Sequence, residues 1–201
     1  MKRVPLESLL ALSDQRASLK DLLACDGVVA MPTETYYALG VNPASPQAVA
    51  RLLKIKGRPP QKALPILFTG RDQFAKLGIT APPATVERFF SLWPAPVTVI
   101  FETRSAPPCG GGDRSLAVRE PAHEALRRLL KVTGPLTGTS ANPSGMPPLS
   151  DPNEVALAFG AVVDLLIDGG ATEGLKPSTL LDARFDPPRL LREGAFPWPP
   201  R

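Results

Sequence analysis

The sequence predicts a single mixed α/β domain, and three observations carry that prediction. Its 201 residues match the common size of one domain. Short apolar, β-rich runs alternate with segments of helical spacing, yet several runs follow one another with no helix between them. That pattern points to a twisted mixed sheet with flanking helices rather than a doubly wound parallel one. Hydrophobic residues make up 43% of the chain. At this length about 70% of the unfolded surface is buried on folding, enough for a core without disulfide or metal staples.

Residues 6–24 carry leucines at 6, 9, 10, 12, 19, 22 and 23 around the polar Ser13-Asp14-Gln15, which reads as one or two short helices. Val28–Met31, stopped by Pro32, reads as a buried strand, and the hydroxyl-rich Pro32–Gly40 as its exit loop. Ser45-Pro46-Gln47 caps a helix whose face is Ala48, Leu52 and Ile55, and Lys56-Gly57-Arg58-Pro59-Pro60 must stop it. Ala63–Phe68 is a strand in which Pro65 favours an edge, 71–78 and 84–92 are helices, and 97–101 is a strand. A loop over 103–115 holds Gly110-Gly111-Gly112, and a short strand follows at 116–118. Pro121 opens a helix through Lys131 that contains His123, and 136–139 is a strand. Asp151, with Glu154 three residues on, caps a helix over 151–160. Val162–Ile167, Ser178–Leu181 and Arg189–Arg192 complete the strands. No repeat or composition break divides the chain. The expectation is one domain over 1–201, with its motifs in 28–194 and a stiff Pro-rich tail at 195–201.

The 16 glycines and 25 prolines are about a fifth of the chain, against roughly 12% usually. They follow no collagen period, so they imply long stiff connections around a core. A net charge of +4 suits an anionic ligand such as a nucleotide. Cys25 and Cys109 are the only cysteines and His123 the only histidine, which leaves no Cys/His zinc site and no chain of histidines. No apolar run approaches 18 residues, and the start lacks the pattern of a leader; cytoplasm, with no membrane contact, is the expected location.

Several familiar signatures are absent: no G-x-x-x-x-G-K-S/T loop, no G-x-G-x-x-G after a strand, no H-E-x-x-H and no G-x-S-x-G. Three features remain. Lys54, Lys56, Arg58 and Lys62 crowd nine residues at a helix end, either as a dipole-complementing cluster or as an anion site held by fixed backbone. Thr139-Ser140-Ala141-Asn142 follows a strand and is either an ordinary turn or a neutral hydroxyl–amide pair facing a ligand. Thr33-Glu34-Thr35 lies at another strand exit, where α/β proteins bind ligands. The Gly110–Gly112 run is open to two readings, a flexible loop or a lid that closes on phosphate. Together these features describe a pocket for a small anionic ligand.

At these residues the chain resembles the YrdC-like family, the L-threonylcarbamoyladenylate synthases. The family's P-T-E/D-T-x-Y-G-L-G appears as Pro32-Thr33-Glu34-Thr35-Tyr36-Tyr37-Ala38-Leu39-Gly40, and K-x-R-P as Lys56-Gly57-Arg58-Pro59 with Lys62-Ala63-Leu64 following. W-P-G-P-V-T appears as Trp93–Thr98, V-R-x-P as Val118–Pro121, and S-A-N-x-S-G as Ser140–Gly145. P-S-T-I-V-D is matched by Pro177–Asp182 and L-R-x-G by Leu191–Gly194. These ordered blocks span residues 32–194, about four-fifths of the chain. Ala38 and Ala95 replace usual glycines, and Ala63 replaces a usual proline; a methyl is tolerated there only on a negative φ.

The resemblance implies a YrdC-like fold with a concave basic cavity. It implies ATP, L-threonine and bicarbonate as substrates, pyrophosphate as a product, and a short stand-alone form. A downstream threonylcarbamoyl transferase complex would pass the group to tRNA adenosine beside the anticodon, and a weak direct tRNA contact is compatible with the charge. By the resemblance, Lys56, Arg58, Ser140 and Asn142 react and hold ATP, joined by Arg119 and Arg192 at the phosphates. Thr33, Thr35, Tyr37, Leu64 and Ser178 line the substrate. Of the consecutive Tyr36 and Tyr37, one at most faces ligand. Mg²⁺ would travel mainly on the phosphates, with no zinc and no protein metal site. Two other readings stay open: an RNA-binding module without adenylate chemistry, disfavoured by 6% aromatics and no RNA-binding motif, and a relative that forms a carbamoyl-adenylate.

Overall fold

Alternation along one strand sets the architecture. In Val97–Thr103, Val97, Val99 and Phe101 are buried in the aromatic core, while Thr98 and Ile100 face the opposite side and line a cavity. A period of two puts core and site on the two faces of one sheet. The computed structural model describes residues 1–199 apart from Ser144 and Leu175. Ser144 of the S-A-N-x-S-G block and the last two residues of the expected tail thus lie outside the described residues.

Strand β1 (Lys2–Pro5) leads into helices α1 (Leu6–Ala11) and α2 (Ser13–Ala24); β2 (Val29–Met31) and β3 (Ala38–Gly40) precede α3 (Pro46–Ile55). Next come β4 (Ile66–Leu67), α4 (Gly70–Ala75), β5 (Ile79–Thr80), α5 (Pro83–Phe90) and β6 (Val97–Thr103). Then follow β7 (Ser115–Arg119), α6 (Glu124–Thr133), β8 (Leu136–Thr137) and β9 (Thr139–Ser140). Helix α7 (Pro152–Phe159) and strands β10 (Leu165–Asp168), β11 (Thr179–Asp182) and β12 (Arg189–Arg192) close the series.

The α/β class holds, and the strands divide between two mixed sheets. One has the order β1-β10-β2-β3-β9; the other has β12-β11-β6-β7-β4-β8, with β5 paired to the end of β6. Parallel pairs are β1–β10, β10–β2, β11–β6 and β4–β7, and the rest are antiparallel. The chain passes between sheets at Gly138, from Thr137 paired with Ile66 to Thr139 paired with Leu39. A Cβ on Gly138 would lie 2.5 Å from Leu67 Cγ, so only glycine fits this crossing.

One core packs Phe68, Phe74, Phe89, Trp93 and Phe101 behind the second sheet, and Trp198 of the tail stacks on Phe89 at 20°. The other packs α1, α2 and α6 on Val29, Met31, Leu165 and Ile167 of the first sheet. Sequence caps act as read: Ser45 accepts from Ala48 N–H at 3.1 Å and Asp151 from Asn153 N–H at 2.7 Å.

Three strands escape the sequence reading. β1 is charged and buries only Val4, β3 lies in what reads as a loop, and β5 has two residues. His123 does not sit inside a helix: α6 starts one residue later, and His123 Nδ1 caps it by accepting from Leu126 N–H at 3.1 Å. Cys25 and Cys109 are free. Among the described residues Asp26 alone carries a side chain on a positive φ, 60°, so Ala38 and Ala95 hold ordinary backbone. Among the described residues no helix is long and apolar enough to cross a membrane.

Candidate functional site

The inward faces of β6, β7 and β11, the ends of β3 and β9, and the segment after α3 enclose a cavity of about 560 Å³. That size suits a nucleotide-scale ligand. Its floor comes from alternate residues of neighbouring strands: Thr98 and Ile100, Ala117 and Arg119, and Leu180. Arg58, Lys62, Arg119 and Arg192 line it, and no carboxylate does among the described residues. The polar remainder is hydroxyl: Thr33, Thr35, Tyr36, Tyr37, Thr98, Thr139, Ser140 and Ser178.

The end of α3 explains how the basic pair is aimed. Gly57 takes φ 58°, its N–H bonds Lys54 O at 3.0 Å, and Arg58 N–H bonds Leu53 O at 2.9 Å. This double closure stops the helix and reverses the chain. Arg58 is thereby sent into the cavity, where its Nη1 donates to Thr139 Oγ1 at 3.1 Å. Burial holds its pKa below the ordinary arginine value.

Lys56 points elsewhere. It is 1% exposed, does not line the cavity, and gives all three of its protons to the 140–142 segment. Its Nζ donates to Ser140 O at 2.7 Å, to Asn142 Oδ1 at 2.8 Å, and to Asn142 O. Burial, then the neighbouring Arg58, pull its pKa down to about 8. Asn142 likewise stands behind the wall, and its Nδ2 donates to Met146 O at 2.5 Å. Of the four residues expected to react, Arg58 and Ser140 face the cavity; Lys56 and Asn142 fix the segment that presents Ser140.

The remaining expected residues separate in the same way. Thr33 and Thr35 line the cavity and share a bond of 3.1 Å; Thr33 Oγ1 also accepts from Tyr36 N–H, so the 33–36 turn is self-capped. Ser178 meets Thr98 Oγ1 at 2.8 Å and receives the Arg192 guanidinium, whose Nη2 reaches Ser178 O at 2.8 Å. Arg192 is held below its ordinary pKa by burial and then by Arg119. Tyr36 and Tyr37 both line the cavity, and the Tyr36 side chain is partly open. Tyr37 is wholly buried, and its hydroxyl donates to Gly170 O at 2.8 Å. Burial lifts the Tyr37 pKa to about 12. Leu64, expected at the substrate, is instead fully buried core, and its flanking Ala63 and Pro65 reach the cavity.

The Gly110–Gly112 loop lies outside the cavity lining; Gly111 packs against the backbone of Gln61 and Ala63 and so supports the wall from behind. Lys62 and Thr139, members of the basic and hydroxyl clusters, also line the site, and so does Thr98, which had no role of its own in the sequence reading. For Thr98 the available signal was a hydroxyl alternating with Val97 and Val99 in a strand.

The class defined is an α/β protein with a basic, hydroxyl-lined cavity between two mixed sheets. The chain belongs to the Sua5/YciO/YrdC family: the family profile described as "Telomere recombination" matches residues 21–194. It is similar to the threonylcarbamoyl-AMP synthase of Pyrococcus abyssi, 36% identical over 85% of this chain and 51% of the relative. It is also similar to the Coxiella burnetii enzyme of the same name, at 33% identity over 86% of this chain and 96% of that one. Thus the chain spans about half of the Pyrococcus relative and nearly all of the Coxiella one. Among solved structures, P. abyssi Sua5 complexed with L-threonine superposes with a TM-score of 0.84 at 33% identity, covering 91% of this chain and 55% of that one.

Proposed function

We propose that the chain synthesises L-threonylcarbamoyladenylate from L-threonine, bicarbonate or CO₂ and ATP, releasing pyrophosphate. The observation that carries this reading is the set of four cations, Arg58, Lys62, Arg119 and Arg192, around a cavity otherwise lined by hydroxyls. Similarity to relatives named for that activity supports it.

The threonine amine, in its neutral form, makes a C–N bond to CO₂ and gives up a proton to solvent, leaving an N-carboxylate. One carboxylate oxygen attacks the α-phosphorus of ATP while the bond to the β-phosphate oxygen breaks and pyrophosphate leaves. Two anions must approach each other, and fixed cations lower that repulsion most in a site shielded from water. Arg58, Arg119 and Arg192 supply the charge; Lys56 and Asn142 hold the Ser140 segment in place. A recessed cavity also limits the water that reaches a carbamate, which decomposes in it. The attacking group is already an anion, so no histidine base is required. Among the described residues no three His, Cys, Asp or Glu side chains converge, and Mg²⁺ is proposed to ride on the phosphates. The product would go to a threonylcarbamoyl transferase complex acting on tRNA in the cytoplasm. Pyrophosphate release that needs both threonine and bicarbonate tests the reading; release that ignores either one overturns it.

A further inference from the structure

Glu34 is a half-buried acid that the proposed chemistry does not use. Its side chain is 15% exposed and that of Arg119 8%, and they meet with Arg119 Nη2 3.6 Å from Glu34 Oε2. That spacing is an ion pair but too long for a hydrogen bond. Both Glu34 oxygens and Arg119 Nε are buried with no hydrogen-bond partner. Three unpartnered charged atoms in one place call for an explanation.

Arg119 lines the cavity and Glu34 does not; Glu34 lines a neighbouring groove with His123 and Glu124, so the ion pair joins the two. A bidentate Glu–Arg contact would occupy the planar donor fork. A spaced contact supplies the attraction of a low-dielectric ion pair and leaves the donors free. That counter-charge offsets part of the cost of burying the guanidinium, which stays protonated. Burial disfavours its charged form, Glu34 acts in the opposite sense, and Arg192 adds a second cation beside it.

We propose that Glu34 is a positioning residue: it holds Arg119 aimed into the cavity, alongside Arg192, with its donors free for an incoming anion. This rests on the phosphate-binding reading above, so the test has two arms. In the first, side-chain NMR follows Arg119 Nε–H in the full chain without ligand. Wild type and Glu34→Asp should give a protected signal, and Glu34→Gln should shift or broaden it. In the second, calorimetry measures inorganic pyrophosphate binding to wild type, Glu34→Gln, Arg119→Ala and the double variant. Glu34→Gln should weaken binding about tenfold, with no further loss once Arg119 is gone. An unchanged Arg119 signal in Glu34→Gln overturns the proposal, as does pyrophosphate binding at wild-type strength or tighter in that variant. If wild type binds no pyrophosphate, the phosphate reading falls and the NMR arm still decides the role of Glu34.

Discussion

Asn142 Oδ1 accepts two hydrogen bonds at once, from Lys56 Nζ and from Ser140 Oγ, each 2.8 Å long. The Ser140 proton is thereby turned into the wall and the oxygen lone pairs toward the cavity. One buried cation thus sets the polarity of a hydroxyl that it does not touch.

Removing either basic residue should slow adenylate formation by roughly 10²-fold, but with different effects on stability. Lys56→Ala removes three hydrogen bonds, leaves Asn142 O without its donor while Ser140 O and Asn142 Oδ1 keep one each, and should lower stability by roughly 3 kcal/mol. Arg58→Ala should melt close to wild type. Denaturant melts and pyrophosphate release on the same samples check both; equal stability in the two variants would contradict the clamp role of Lys56.

The Lys56 pKa near 8 lies below its ordinary 10.5. Between those values the unfolded chain binds the proton more tightly, so this residue's contribution to stability rises with pH across the window. Activity should move the other way, falling above about pH 8 as the clamp loses its charge. Rate profiles and melts at pH 7 and 9, with Lys56→Met as reference, test the opposed slopes.

His123 is held below its ordinary pKa of 6.5, chiefly by burial, and it caps α6 only when Nδ1 is unprotonated. Its stabilisation should be complete above about 6.5 and be lost as pH falls through the lower folded value. His123→Ala should cost about 1 kcal/mol at pH 7.5 and less at pH 5, with catalysis unchanged.

Gly138→Ala should destabilise by about 1–3 kcal/mol through overpacking on Leu67. Leu67→Ala in the same chain should recover part of that loss. Thermal melts of the two single variants and the double variant measure the coupling.

Local chemistry was legible in the sequence and long-range placement was not. Ser45, Asp151 and Gly57 act on neighbours within a few residues, and each does what its type and position imply. Strand β3 was hidden because its partners, Met31 and Ser140, are brought to Ala38 only by the fold. Arg58 and Ser140 were found as cavity residues. Lys56 was misdirected because a helix-terminal lysine looks the same whether it faces a ligand or the wall behind it. Leu64 lies in a motif block yet is buried because its neighbours, not its own side chain, face the site. The Glu34–Arg119 pair joins a strand exit to a distant strand end, and no local spacing announces it.

The direct test is a crystal structure with a non-hydrolysable ATP analogue and L-threonine. Phosphates against Arg58, Arg119 and Arg192, with the amino acid beside Thr33 and Thr35 in the same cavity, are the expected result. Density for either molecule on an outer face, with that cavity empty, would contradict the account.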